Sequence, residues 1–121
     1  MSEHLNLITL VGRLGAEPET RYFESGSVLS KISLAVDRQK GKDEAPNWFS
    51  LECWGKLAEV AANYTNKGSL IAVQGELKFD EWTDGKTRLP RSKPVIRVNN
   101  LELLSSGKIQ DTSTSTNNTD F

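Results

Sequence analysis

At 121 residues the chain has the length of one domain, enough to bury a core without disulfide or metal staples. Its formal net charge of -1 excludes a protein that coats polyanions by bulk charge alone, and its single cysteine, Cys53, excludes an internal disulfide and points to a reducing compartment. The start Met-Ser-Glu-His-Leu-Asn has no basic segment leading into an apolar run, and no apolar stretch reaches spanning length. Neither a secretory leader nor an integral membrane segment is therefore expected, and the cytoplasm is the natural location.

In chain order, Leu5 to Leu14 is rich in β-formers and closed by Gly15 and Pro18, which predicts a strand, with Gly12 marking a bulge or a sharp coil of the sheet. His4, the one histidine, has no ligand-type neighbours and reads as a surface or subunit contact. Arg21-Tyr22-Phe23 fits a short strand before the turn Glu24-Ser25-Gly26-Ser27. Val28, Ser30, Ile32, Leu34 and Val36 then alternate with a wetter set carrying Lys31, which is a second long strand. Asp37 to Pro46 is charged and breaker-rich, hence a loop.

The third long strand, Asn47 to Trp54, is the most informative stretch. Its alternation sends Phe49, Leu51 and Cys53 to one face and Trp48, Ser50, Glu52 and Trp54 to the other. The first set is a core face. The second puts two indoles, about 20 Å apart, beside a serine and a carboxylate, where a folded chain gains nothing by showing them to water. A lone tryptophan so placed is more often covered by a second sheet or a subunit; two on one polar face favour an external, extended ligand.

After Trp54 the period changes to that of a helix, with Leu57, Val60, Ala61 and Tyr64 on one apolar stripe and Lys67-Gly68 as the stop. Ser69 to Phe79 returns to alternation, with Gly75 suited to a strongly bent strand. Continued, this puts Trp82 on the face of Lys78, a third indole on a polar side. Asp84-Gly85 signals a hairpin. From Lys86 to Arg97 five cations (Lys86, Arg88, Arg91, Lys93, Arg97) occur with no carboxylate, a local basic stripe. The last strand, from Val95 to Leu104, loses parity at Asn99-Asn100, which predicts a bulge. Residues 105–121 are almost all Ser, Thr, Asn and Asp and read as a disordered tail outside a domain of residues 1–104.

Three strands, a helix and two strands, with glycines where strands must coil, match an all-β, five-stranded Greek-key barrel of the OB type with its helix between strands three and four. A small α+β sandwich is the competing architecture. In an OB barrel the loops after strands one and four flank a face suited to oligonucleotides, and the Trp82 hairpin is one of them.

Leu10-Val11-Gly12-Arg13-Leu14-Gly15, Ile32-Ser33-Leu34-Ala35-Val36, Trp54-Gly55-Lys56-Leu57-Ala58-Glu59-Val60-Ala61, Lys67-Gly68-Ser69 and Trp82-Thr83-Asp84 closely resemble, in order and spacing, the bacterial single-stranded DNA-binding protein family. The resemblance runs from about Leu5 to Leu104. It implies an OB fold, a homotetramer and sequence-independent wrapping of single-stranded DNA in replication, recombination and repair, with Trp48, Trp54 and Trp82 at the family's stacking positions. Several features depart from the pattern. The loop Asp37 to Pro46 lacks the further tryptophan many members carry, and Asp80 and Glu81 stand where basic residues are common. The acidic carboxy-terminal tip that recruits replication and repair proteins is reduced to Thr119-Asp120-Phe121, which puts such partners in doubt. Short tails of this kind are similar to the cyanobacterial and plastid-type branch, which allows a peripheral thylakoid-membrane association beside the expected cytoplasmic, nucleoid-associated location.

The mechanism that follows is stacking of unpaired bases on Trp48, Trp54 and Trp82, with Lys31, Lys56, Lys78, Arg88, Arg91, Lys93 and Arg97 as phosphate-steering candidates. Arg97 and Lys56 rank last, because Glu102 and Glu59 are alternative partners for them. A rival from another class is an OB protein-interaction module of the primosome type. A third reading, an enzyme, finds no Ser/His/Asp or Cys/His set and no phosphate loop, only Asp80, Glu81 and Asp84 on a hairpin. No cofactor, metal or catalytic residue is expected.

Overall fold

The computed structural model describes residues 5–38 and 45–105. Seven elements follow one another: β1 (Ile8–Leu14), β2 (Glu19–Tyr22), β3 (Val28–Val36), β4 (Asn47–Trp54), α1 (Lys56–Tyr64), β5 (Leu70–Thr83) and β6 (Pro90–Leu103). The sheet order is β1-β5-β6-β4-β3-β2, and β1 also pairs with β3. That last pairing closes five strands into a ring, β1-β3-β4-β6-β5, in which only β4 and β6 run parallel. This is the OB-type barrel expected. The sixth strand, β2, lies outside the ring: β3 pairs with β2 along Val28 to Lys31 and with β1 at Leu34 and Ala35, so one strand changes partner along its length.

Closure requires backbones to approach where a side chain would stand. A Cβ on Gly12 would lie 2.4 Å from the carbonyl oxygen of Ala35, and one on Gly75 would lie 2.2 Å from that of Arg97, so both sites admit only glycine. Gly75 also marks the register shift: Gln74 faces Asn100 and Gly75 faces Val98, which leaves Asn99 as the extra residue of a bulge. The parity slip at Asn99-Asn100 is thereby accounted for.

The core is the inward set from the five strands of the ring, Leu14, Val28, Ile32, Leu34, Leu51, Cys53, Ile71, Val73, Ile96 and Val98, closed at one end by Ala58 and Ala61 of α1. Two alanines let the helix backbone approach closely, and the buried Ser30 hydroxyl donates to the Ala58 carbonyl at 2.9 Å, fixing helix to sheet. The stripe expected for this helix is only partly right. Leu57 and Val60 are half-buried, and Tyr64, read as core, is 46% exposed, because the short side chains at 58 and 61 are what meet the sheet. The helix also ends earlier than Lys67-Gly68. Thr65 closes it, its hydroxyl donating to the Ala61 carbonyl at 2.6 Å. Gly68 does adopt φ 91°, in the turn whose N–H donates to the Leu14 carbonyl.

Burial, and secondarily the neighbouring Glu52 carboxylate, push the Cys53 thiol up to about 12, so it behaves as a small hydrophobe at neutral pH. The expected loop after Val36 falls partly, and the expected tail 105–121 in all but Ser105, outside the described residues.

Candidate nucleic-acid interface

Cross-strand partners share a face of the sheet, so the register places the candidate residues. Trp54 stands opposite Leu29, Glu52 opposite Lys31, Ser50 opposite Ser33 and Trp48 opposite Ala35. Across the parallel pair Glu52 meets Arg97. Along the β5–β6 arm Lys78 faces Val95, Asp80 faces Lys93 and Trp82 faces Arg91. The Lys78 ammonium lies 3.3 Å from the Glu52 carboxylate, which puts the arm and the β4 set on the same outer surface. Eight sequence-derived candidates therefore share one face: Trp48, Trp54, Trp82, Lys31, Lys78, Arg91, Lys93 and Arg97. Lys56, the first residue of α1, and Arg88, at the arm's tip, lie off the strands and are exposed.

The three indoles are held differently. Trp48 is 59% exposed, and the edge of its six-membered ring abuts Gly15, where a Cβ would come within 2.4 Å of it. Glycine after β1 thus leaves room for the edge of the indole against the first loop. Trp54 is half-buried. Its indole N–H donates to Glu52 Oε1 at 3.2 Å, and Phe23 stacks against it with centroids 6.0 Å apart and planes inclined by 24°. Trp82 is 49% exposed and makes no side-chain hydrogen bond or ring contact among the described residues.

Between the Trp54 and Trp48 rows runs a line of charges: Glu19, Lys31, Glu52, Arg97 and Glu76, one from each of β2, β3, β4, β6 and β5. Signs alternate along it. Glu52 is its hub, a carboxylate only 8% exposed that accepts from Trp54 and pairs with Lys78. Lys78 in turn lies 2.6 Å from Asp80. Its ammonium pKa is raised, chiefly by the hydrogen bond to Asp80 and then by Glu52, with desolvation opposing. Lys78 is therefore a tethered cation, whereas Lys31, Lys93 and Arg97 make no ion pair among the described residues. The alternative partners Glu102 and Glu59 do not engage Arg97 or Lys56. A cleft of about 200 Å³ opens over this row, walled by Glu17, Glu19, Lys31, Ser33, Ser50, Glu52, Asp80 and Lys93 among others.

The arm's tip is ordered by Asp84. Its Oδ1 accepts the backbone N–H groups of Lys86 and Thr87 at 2.8 and 3.2 Å, and its Oδ2 is 3.4 Å from Arg91 Nε. These backbone bonds, with Arg91 contributing less, hold the carboxyl below its ordinary pKa. Asp80, Glu81 and Asp84 do not converge on one point, because Glu81 points to the opposite face from Asp80. Among the described residues no group of three His, Cys, Asp or Glu could hold a metal ion.

Sequence reasoning passed over Phe23 and Glu52, the two side chains that contact the Trp54 indole. Alternation along β4 did place Glu52 on this face, but its role depends on neighbours from two other strands. Phe23 lies just beyond β2, and only the β2–β3 pairing brings it to Trp54.

A closed β-barrel with three indoles and a charge-alternating row on one outer face belongs to the OB class of binding proteins. The family is single-strand binding protein: its model matches residues 5–104, and the chain belongs to it. The chain is 61% identical over 103 residues to "Single-stranded DNA-binding protein 1" of Synechocystis sp., covering 84% of this chain and 85% of that one. It is 56% identical over 107 residues to "Single-stranded DNA-binding protein 1" of Nostoc sp., covering 88% and 89%. A Xanthomonas campestris relative, "Single-stranded DNA-binding protein", is 34% identical over 109 residues, which span 86% of this chain and 63% of that longer one.

Proposed function

We propose that the chain binds single-stranded DNA without sequence preference and protects it during replication, recombination and repair, acting as a binding protein and not as an enzyme. The observation that carries this reading is the gathering of Trp48, Trp54 and Trp82 on one outer face with Lys31, Arg91, Lys93 and Arg97. Unpaired bases stack on the indoles, every base offering a π-face, and the cations steer the phosphates. Duplex DNA, its bases already stacked on one another, is a poor ligand. Titration with oligo-dT, followed by intrinsic fluorescence, tests the reading. Strong quenching that a duplex of equal length fails to produce is expected; an indifferent spectrum would favour the protein-interaction module instead.

The proposed assembly is a homotetramer. Support comes from β1, whose Leu7 and Val11 flank are exposed and whose residues Ile8 to Gly12 pair only with β5 among the described residues. A free, apolar strand edge is suited to isologous pairing with a second copy. Mass measurement by light scattering tests it, a monomer being the contrary result. The compartment proposed is the cytoplasm and its nucleoid. No helix among the described residues is long and apolar enough to cross a membrane, and thylakoid association finds no support in the residues described.

A further inference from the structure

We propose that the stacking track does not stop at Trp54 but continues onto Phe23, with Arg21 taking the adjoining phosphate, so that the β2–β3 hairpin is part of the single-strand site. This extension rests on the reading of the face given above.

The starting point is a phenylalanine with no core to join. Phe23 lies beyond β2, outside the closed ring, and is still 39% exposed although Trp54 covers part of it. Rings in van der Waals contact stand about 3.5–4 Å apart, so centroids separated by 6.0 Å with planes only 24° from parallel describe two rings slid past one another. Each covers part of the other and leaves part open. The pair is a step of two π-surfaces, and a base stacked on one has the other beside it.

The neighbouring residues fit a polynucleotide path. Arg21, Leu29 and Trp54 form one cross-strand row over β2, β3 and β4, so Arg21 belongs to the same face as Trp54. It is exposed and makes no ion pair among the described residues. The turn that presents Phe23 is closed, its N–H donating to the Ser27 carbonyl and its carbonyl accepting from Gly26, both at 2.9 Å. The aromatic ring is thus carried on a fixed corner, which lowers the ordering cost of stacking on it.

The test uses the full chain and oligo-dT carrying 5-iodouracil at single positions, irradiated and mapped by peptide. A crosslink within residues 21–23 is expected, together with an affinity loss of about fivefold or more in Phe23→Leu, read by the quenching of Trp48 and Trp82. Arg21→Gln should lower the salt slope by about 0.7, the contribution of one phosphate. Crosslinks confined to the three tryptophans overturn the extension while leaving the reading of the face intact, and weakened binding in Phe23→Leu without a crosslink does so too, since Phe23 would then only prop Trp54. Absence of quenching and of all crosslinks overturns both.

Discussion

The centre of the β3–β4 surface and the β5–β6 arm carry the same kinds of side chain but hold their indoles differently. At the centre each cation stands beside a carboxylate of the next strand, Glu52 is nearly buried, and Trp54 is fixed by a hydrogen bond and a stacked ring. On the arm, Trp82 makes no side-chain hydrogen bond or ring contact among the described residues; the cations differ less, since Lys78 and Arg91 are tethered by Asp80 and Asp84 and Lys93 faces Asp80 across the arm. The central row, three carboxylates against two cations, attracts phosphates weakly, whereas a held indole offers bases a fixed stacking surface. On the proposed reading the labour would be unequally divided, the barrel surface chiefly ordering bases and the arm collecting more of the backbone.

The arm depends on the point where it leaves the barrel, and the largest expected effect is there. Gly75→Ala would press a methyl into the Arg97 carbonyl, a backbone neighbour that cannot rotate away. About 3 kcal/mol of stability should be lost, measured by urea unfolding. An unchanged midpoint would mean that β5 and β6 are not so closely apposed in solution.

Next come the indoles themselves. Truncating a stacking aromatic costs about 1–3 kcal/mol of binding. Trp54, already oriented by Glu52 and Phe23, pays little to be ordered, so Trp54→Ala should fall near the upper end. Trp82 must be immobilised on binding, at about 0.5–1.5 kcal/mol, so Trp82→Ala should fall near the lower end. Titration of both variants with one oligo-dT decides it; equal or reversed losses would remove preorganisation from the account.

How much of this was legible beforehand follows from range. Alternation is local, so the outward placement of Trp48, Trp54 and Trp82 and the inward placement of Leu51 and Cys53 could be read along single strands. The bulge at Asn99 showed as a break in the same pattern. What could not be read is whatever several strands make together. That Lys78 would be tethered by Glu52 and Asp80, and that Glu19 and Glu76 would end an alternating row, depends on a register the sequence does not display. Tyr64 was misplaced for a related reason. The helix rotates to bring Ala58 and Ala61 against the barrel, a matter of close approach, not of hydrophobicity alone.

The charge row itself can be tested by Glu52→Gln. Glutamine keeps an oxygen for the Trp54 N–H and nearly the same volume, and Lys78 retains Asp80, so neither the fold nor the indole should move. The face gains one net positive charge. Oligo-dT should bind more tightly at low salt, and the slope of log affinity against log salt should steepen by up to about 0.7. If the slope stays where it was, the central carboxylate does not hold phosphates off the barrel.

The smallest effect lies at the arm's tip, and there stability and binding should part. Arg88 has φ 63°, a left-handed conformation that costs a residue with a Cβ about 1–2 kcal/mol. Arg88→Gly removes that strain but adds about 0.5–1 kcal/mol of backbone freedom to the unfolded chain, so the net gain in stability should be roughly 0.5 kcal/mol. Binding should move the other way, the salt slope falling by about 0.7 as one phosphate contact is lost. Strained residues persist where function holds them, and a glycine variant that is more stable yet binds less would place Arg88 among them. If binding is unaltered, the tip cation is only solvated surface, and the arm's pull on the backbone resides in Arg91 and Lys93.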